Sequence, residues 1–241
     1  MEAFKISLKK DILVVSHERS GTHFLINSLA FNIGVSNTPV NFPITHKKPR
    51  DNDSYKSILK DFTIDCKNSQ NRCIFKSHHD NRFFSSFWND LVETFDIIYI
   101  YRDFLDVATS MFFYFNSNPE VFPSSTSVDE LLYKKPCDYK FDYAYSFEDY
   151  ENFIVRHKSH LNHWMNSSSV FCVSYEDLNE NFEDTMDKIF LNLNIETKSF
   201  YKKPKISDLS VCPRKGVVGD HANYIENSVI EKLIKDYGEA L

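Results

Sequence analysis

Four short apolar runs constrain this chain more than any other feature: Asp11–Ser16 (DILVVS), Cys73–His78 (CIFKSH), Ile97–Arg102 (IIYIYR) and Val170–Tyr175 (VFCVSY). Each is rich in β-branched or aromatic residues, and nearly continuous apolarity marks a strand covered on both faces, the setting of a parallel sheet between helices. The segments between the runs carry helical spacing, which predicts helices from about Gly21 to Asn32, Phe84 to Phe95, Leu105 to Tyr114, Phe147 to Met165, Asn181 to Leu193 and Ser228 to Tyr237. Strands alternating with helices give an α/β fold. We therefore expect one domain over residues 1–241, with a central parallel sheet of about four to five strands flanked by helices. The stretches Asn37–Ser54 and Asn116–Ser127, dense in Pro, Asn, Ser and Thr, read as loops, which carry ligand sites in α/β folds.

Composition narrows the function. The net charge is −6, whereas a general nucleic-acid binder needs an excess of Lys and Arg to displace counterions, so any anion site must be local. The five cysteines, Cys66, Cys73, Cys137, Cys172 and Cys212, are widely spaced and form no C-x-x-C pair. That pattern suggests neither a disulfide framework nor a zinc site and fits a reducing cytoplasm. The apolar run Ile12–Val15 near the start is four residues long, too short for a signal sequence or a membrane span, so the expectation is a cytoplasmic protein without membrane contact.

From Val15 to Phe24 (VSHERSGTHF) the chain leaves a strand, makes a tight turn and enters a helix. The free N–H groups and the dipole of a helix start favour an anion there. Ser20 and Thr22 add hydroxyls, Arg19 a permanent cation, and Gly21 allows close backbone approach. The turn is P-loop-like, yet with one glycine and no lysine it is not G-x-x-x-x-G-K-[ST], which weakens an ATPase reading. Simple capping of the helix by Ser20 and Thr22 would account for the same two hydroxyls.

The segment S-H-E-R-S-G-T-H-F at 16–24 resembles the 5′-phosphosulfate loop of the sulfotransferase family, typically S-Y-P-K-S-G-T-T-W. Two further motifs follow in the same order. Ile98–Ser110 resembles the family's 3′-phosphate element, with Arg102 at the strand end and Ser110 eight residues on, and Arg214–Asp220 (RKGVVGD) resembles R-K-G-x-x-G-D. The resemblance implies a sulfotransferase that uses 3′-phosphoadenosine 5′-phosphosulfate (PAPS) and releases 3′-phosphoadenosine 5′-phosphate (PAP). It assigns Arg19, Ser20, Gly21, Thr22 and His23 to the 5′ end, and Arg102, Ser110, Arg214, Lys215 and Gly216 to the 3′-phosphate. Phe24, in place of the usual Trp, and Tyr175 of Tyr175-Glu176-Asp177 would meet the adenine, with Phe200 as a further candidate. Alone, Arg102 would read as a salt-bridge partner of Asp103 or Asp106, and Arg214-Lys215 as a solvated pair.

Sulfonate transfer asks the protein for positioning, electrostatics and a base. Arg19 stands where the family uses Lys to stabilise the leaving group, and Arg keeps the charge without serving as a proton donor. Lys76-Ser77-His78 resembles the K-T-H element that supplies the catalytic His, so His78 is the expected base, while His79 falls on the opposite face of the strand and receives no role. His157, His160 and His163 share a helix at three-residue spacing, but the last rotates away from the first two and no carboxylate is spaced to join them, so no metal is expected. The acceptor is expected to be a small molecule with a hydroxyl or amine, met by Thr38–Asp53, Lys76–Asn81, Met111–Phe115 and Cys137–Phe147. The family's dimer element is not matched by Ala222–Glu231, which leaves the oligomeric state open. A P-loop-type kinase and a nucleotide-binding module without turnover are the rival readings.

Overall fold

The computed structural model describes residues 8–43, 52–69, 72–119, 124–134, 150–205 and 215–238. The four apolar runs form strands β1 (Asp11–Val15), β3 (Ile74–Ser77), β4 (Phe95–Tyr101) and β5 (Val170–Ser174), and a two-residue strand β2 (Val40–Asn41) joins them. All pairings are parallel, in the order β2-β3-β1-β4-β5. The expected α/β fold with a parallel sheet of four to five strands is the observed one. β2 lies inside a stretch that reads as loop, because both its residues are exposed and carry no apolar pattern.

Side chains alternate along β1 between two cores. Ile12 and Val14 pack with α1 (Thr22–Ile33) and residues of Phe182–Asn192, whereas Leu13 and Val15 face a second cluster that includes Leu59, Leu91 and Trp164. Burying each such aliphatic side chain contributes about 1.5–3 kcal/mol, so the central strands, and with them the loops at their carboxyl ends, are firmly anchored.

Further helices are α2 (Asn52–Asn68), α3 (Trp88–Thr94), α4 (Phe104–Asn116), α5 (Val128–Tyr133), α6 (Phe153–Met165), α7 (Tyr175–Glu180), α8 (Phe182–Asn192) and α9 (Asn227–Tyr237). Three differ instructively from expectation. The predicted helix Phe84–Phe95 is split: a 3₁₀ segment, Asn81–Phe87, capped by Asp80, precedes α3, and Phe95 already belongs to β4. The helix expected from Phe147 begins at Phe153, where the Asn152 side chain accepts from the Val155 N–H; residues 147–149 lie outside the described ones. α2 has no counterpart in the sequence reading, because its buried stripe is Tyr55, Leu59, Thr63 and Cys66, with one aliphatic residue among four.

From β1 the chain passes through α1 toward β2 on one side, and from β4 it moves through α4 toward β5 on the other. β1 and β4 are neighbours, so the connections diverge between them and open a crevice at their carboxyl ends, where open α/β sheets hold ligands.

Candidate active site

The turn between β1 and α1 forms one wall of this crevice. Gly21 has φ +96°, and a Cβ placed there would lie 2.4 Å from Cδ2 of Tyr175, so both backbone and space demand glycine. Arg19 also takes a left-handed φ of 67°, which costs a residue with a side chain about 1–2 kcal/mol. Ser16 Oγ and Thr22 Oγ1 meet at 2.6 Å across the base of the turn. Ser20 Oγ is buried without a hydrogen-bond partner among the described residues. A buried hydroxyl beside the first N–H groups of a helix is an acceptor-seeking donor in an anion-favouring field.

Arg19 reaches across the crevice rather than into solvent. Its Nε donates to Ser110 Oγ on α4 at 3.1 Å, and its guanidinium lies 4.9 Å from the centre of the Tyr114 ring. Ser110, expected to share a phosphate with Arg102, thus has Arg19 as a hydrogen-bond partner.

Arg102, at the end of β4, is buried. Its Nη2 donates to Asp106 Oδ2 at 3.0 Å and to the Val217 carbonyl at 2.7 Å, and its guanidinium covers the Tyr175 ring at 4.4 Å. Its Nε has no partner among the described residues. The ion pair with Asp106 is thus real, yet it leaves a donor unspent. Asp106, unassigned by the sequence reading, also accepts from the Gly219 N–H at 2.8 Å and the His221 N–H at 3.0 Å. Burial pushes its carboxyl up, but those N–H groups and Arg102 outweigh it and hold the pKa below the usual value. Asp103, Asp106 and His221 converge within 4.8 Å, but both Asp106 oxygens are already engaged by donors.

Residues 215–219 dock on this arginine through their backbone. Tyr175 Oη donates to the Gly216 carbonyl at 2.8 Å, next to the Val217 carbonyl that Arg102 holds. Lys215 points away, its Nζ 2.9 Å from Tyr224 Oη and exposed. Arg214 lies outside the described residues. Phe24 is buried, edge-on to Tyr175 at 5.8 Å and tilted against Phe182, whereas Phe200 is 73% exposed.

His78 follows β3, adjacent to β1, and so lies beside Ser16. Its Nδ1 is 2.9 Å from the Ser16 carbonyl and 3.2 Å from Ser16 Oγ. A carbonyl only accepts, so Nδ1 carries the proton and Nε2 the lone pair. Burial, then the charge of Lys76, lowers the His78 pKa to about 3. Lys76 Nζ donates to His23 Nε2 at 3.3 Å, and burial followed by Lys76 and Arg19 lowers His23 to about 4. Lys76, expected only as part of the acceptor wall Lys76–Asn81, shares the face of His78 by period-two alternation. His79 is buried and bonded to Ser77 Oγ at 2.7 Å and to Tyr55 Oη. On α6, His157 and His160 are buried against His17, with ring centres 4.8 and 5.5 Å away, while His163 lies 3.1 Å from Asp80 Oδ2. Of the expected acceptor walls, residues 44–51 and 137–147 fall outside the described ones; Met111 and Phe115 are core, and Phe112, Phe113 and Tyr114 are half-buried.

Comparison with known proteins bears on this arrangement. The profile of the sulfotransferase domain matches residues 9–241. Mouse sulfotransferase SULT7A1, solved in complex with PAP, superposes with a TM-score of 0.63 at 21% identity, covering 95% of this chain and 82% of that one. Retinol dehydratase in complex with retinol and PAP gives 0.57 at 13% identity, over 96% of this chain and 81% of that one. Searching curated protein sequences gives no match.

Proposed function

The chain belongs to the sulfotransferase family and is a sulfotransferase, and from that premise we propose that it moves a sulfonate group from PAPS to a hydroxyl or amine of a small-molecule acceptor, with residues 1–241 acting as one catalytic domain. The observation that carries the reading is a pair of buried donors without partners among the described residues, Ser20 Oγ at the β1–α1 turn and Arg102 Nε at the end of β4, on either side of one crevice. A nucleotide with phosphate at both ends of its ribose needs two such groups. Two fold neighbours, the mouse sulfotransferase and retinol dehydratase, were solved in complex with PAP, in line with this choice.

When bound, PAPS supplies a sulfonate already joined to a phosphate leaving group. Ser20, Thr22 and the α1 N-terminus hold the 5′ end, and Arg102 with the docked backbone at 216–217 holds the 3′ end. Arg19 places fixed positive charge where the leaving oxygen gains negative charge, while Lys76, two residues before His78, adds a second cation on that face. His78 Nε2 takes the acceptor's proton, its tautomer set by the bond from Nδ1 to Ser16. Its low pKa reflects burial beside cations, and anionic ligands at the site move it back up. None of these roles calls for a metal.

No helix among the described residues is long and apolar enough to cross a membrane. Cys66, Cys73 and Cys172 are free thiols, which agrees with the proposed cytoplasmic setting.

Thermal unfolding with PAP, ADP and AMP tests the donor site without knowledge of the acceptor. At about 100 times its Kd, PAP should add about 2.7 kcal/mol, a shift on the order of 5–10 °C for a chain this size. An equal shift by ADP would favour the kinase reading, and no shift by any nucleotide removes the proposed donor.

A further inference from the structure

A second buried ion pair sits at the β1–α1 turn. Arg156, in the first turn of α6, is 2% exposed and forks onto Glu18, with Nη2 at 2.7 Å from Oε1 and Nη1 at 2.9 Å from Oε2. The same Nη1 donates to His17 Nε2 at 2.6 Å, and His17 Nδ1 in turn donates to the Glu18 carbonyl at 3.1 Å. One guanidinium from a distant helix thus grips two consecutive residues of the turn. The next residue, Arg19, adopts φ +67° and sends its side chain the other way, to Ser110 and Tyr114.

We propose that Arg156 and Glu18 are positioning residues for the sulfonate end of the donor site: by pinning Glu18 inward, they hold Arg19 in the left-handed turn that aims its guanidinium across the crevice. The resembling loop carries proline at this place, whose ring restrains φ covalently. Glu18 has no such restraint, and the bidentate pair supplies one from outside the turn. Burial raises the Glu18 carboxyl, but Arg156 and His17 outweigh it and keep the carboxylate charged. Burial and the Arg156 charge lower His17, keeping it neutral so that Nε2 can accept. Fold stability alone does not require a charged pair here, since apolar side chains of similar volume commonly replace a buried ion pair at little or no cost.

The inference rests on the proposed donor site, and the test keeps the two apart. The double variant Glu18→Leu/Arg156→Met removes both charges together and is compared with the parent by thermal unfolding and by calorimetric titration with PAP and with adenosine 3′-monophosphate, which lacks the 5′ phosphate. Expected are a transition close to the parent's, PAP affinity lower by about tenfold, affinity for adenosine 3′-monophosphate unchanged, and turnover lower on the order of 10²-fold, the cost of a misplaced cation. Unchanged PAP affinity and turnover in the folded double variant, or equal loss for both nucleotides, would overturn the positioning role. If the double variant does not fold, Glu18→Gln, which keeps shape and one acceptor, is read by the same criteria. A parent that binds neither nucleotide sinks the donor assignment instead.

Discussion

Two buried arginines flank the crevice, each forked to or paired with a carboxylate, and they spend their donors differently. Arg156 commits its guanidinium to Glu18 and His17, whereas Arg102, paired with Asp106 and the Val217 carbonyl, keeps Nε unpartnered among the described residues. A buried cation satisfied by protein groups shapes what surrounds it; one left with a spare donor in a crevice is the one the proposed function assigns to an anion. Similar ion-pair chemistry thus reads as positioning on one side and as binding on the other.

The largest expected effect lies outside both pairs and calibrates them. His78→Ala removes the proposed base and should lower kcat by about 10²–10⁴-fold, while PAP affinity stays at the parent value. Steady-state kinetics beside calorimetric titration checks this, and normal turnover in the variant would break the base assignment.

The arginines themselves come next. Arg156→Met strands Glu18 as an uncompensated buried charge and should destabilise by about 3–5 kcal/mol. Arg102→Met should cost the fold less, because Asp106 still accepts from the Gly219 and His221 N–H groups, but should weaken PAP by about 10- to 100-fold, the value of a charged hydrogen bond or two. Denaturant melts and titration of the two variants side by side decide it; a larger stability loss for Arg102→Met would invert the comparison.

How far the sequence showed this difference follows from what each side is made of. Arg102 and Arg19 stand in contiguous motifs, and β1, β3, β4 and β5 are contiguous apolar runs, so all were readable. Arg156 lies 138 residues from Glu18, on a helix whose histidines invite a metal reading, and no local pattern links the two. Asp106 looked like a surface partner of Arg102 until Gly219 and His221 arrived from 113 and 115 residues away to bury it. α2 stayed hidden because its buried stripe is only one-quarter aliphatic.

Acid should separate the two sides further. Near Arg156, burial lowers His78, His79 and His157 to about 3 and His160 to about 4, from an ordinary 6.5, and His17 well below it. A histidine with a depressed folded pKa contributes stability that is complete above pH 6.5 and is lost as pH falls toward 3–4, because only the unfolded chain takes up the proton. Each one costs about 1.4 kcal/mol per pH unit in that window. The melting temperature should therefore fall steeply between pH 7 and 5. His157→Leu removes a ring whose Nδ1 has no partner among the described residues, and it should flatten that slope while leaving the pH 7.5 value almost unchanged. An unaltered slope would mean that His157 does not contribute to the acid transition.

The smallest effect tests whether the two sides communicate through Arg19. Arg19→Lys keeps the charge and loses the Nε–H that reaches Ser110, along with the planar face over Tyr114. If Arg19 stabilises the leaving group by charge alone, kcat should fall less than about tenfold and PAP affinity should be unchanged, because the lysine retains the charge. If the Ser110 contact instead fixes the cation that Arg156 has aimed, the loss should vanish in the Glu18→Leu/Arg156→Met background, where the aim is already gone. Non-additivity between these sites, measured as a double-mutant cycle in kcat, is the signature of one arginine acting through another, and simple additivity would mean that Arg156 does not act through the Arg19 side chain.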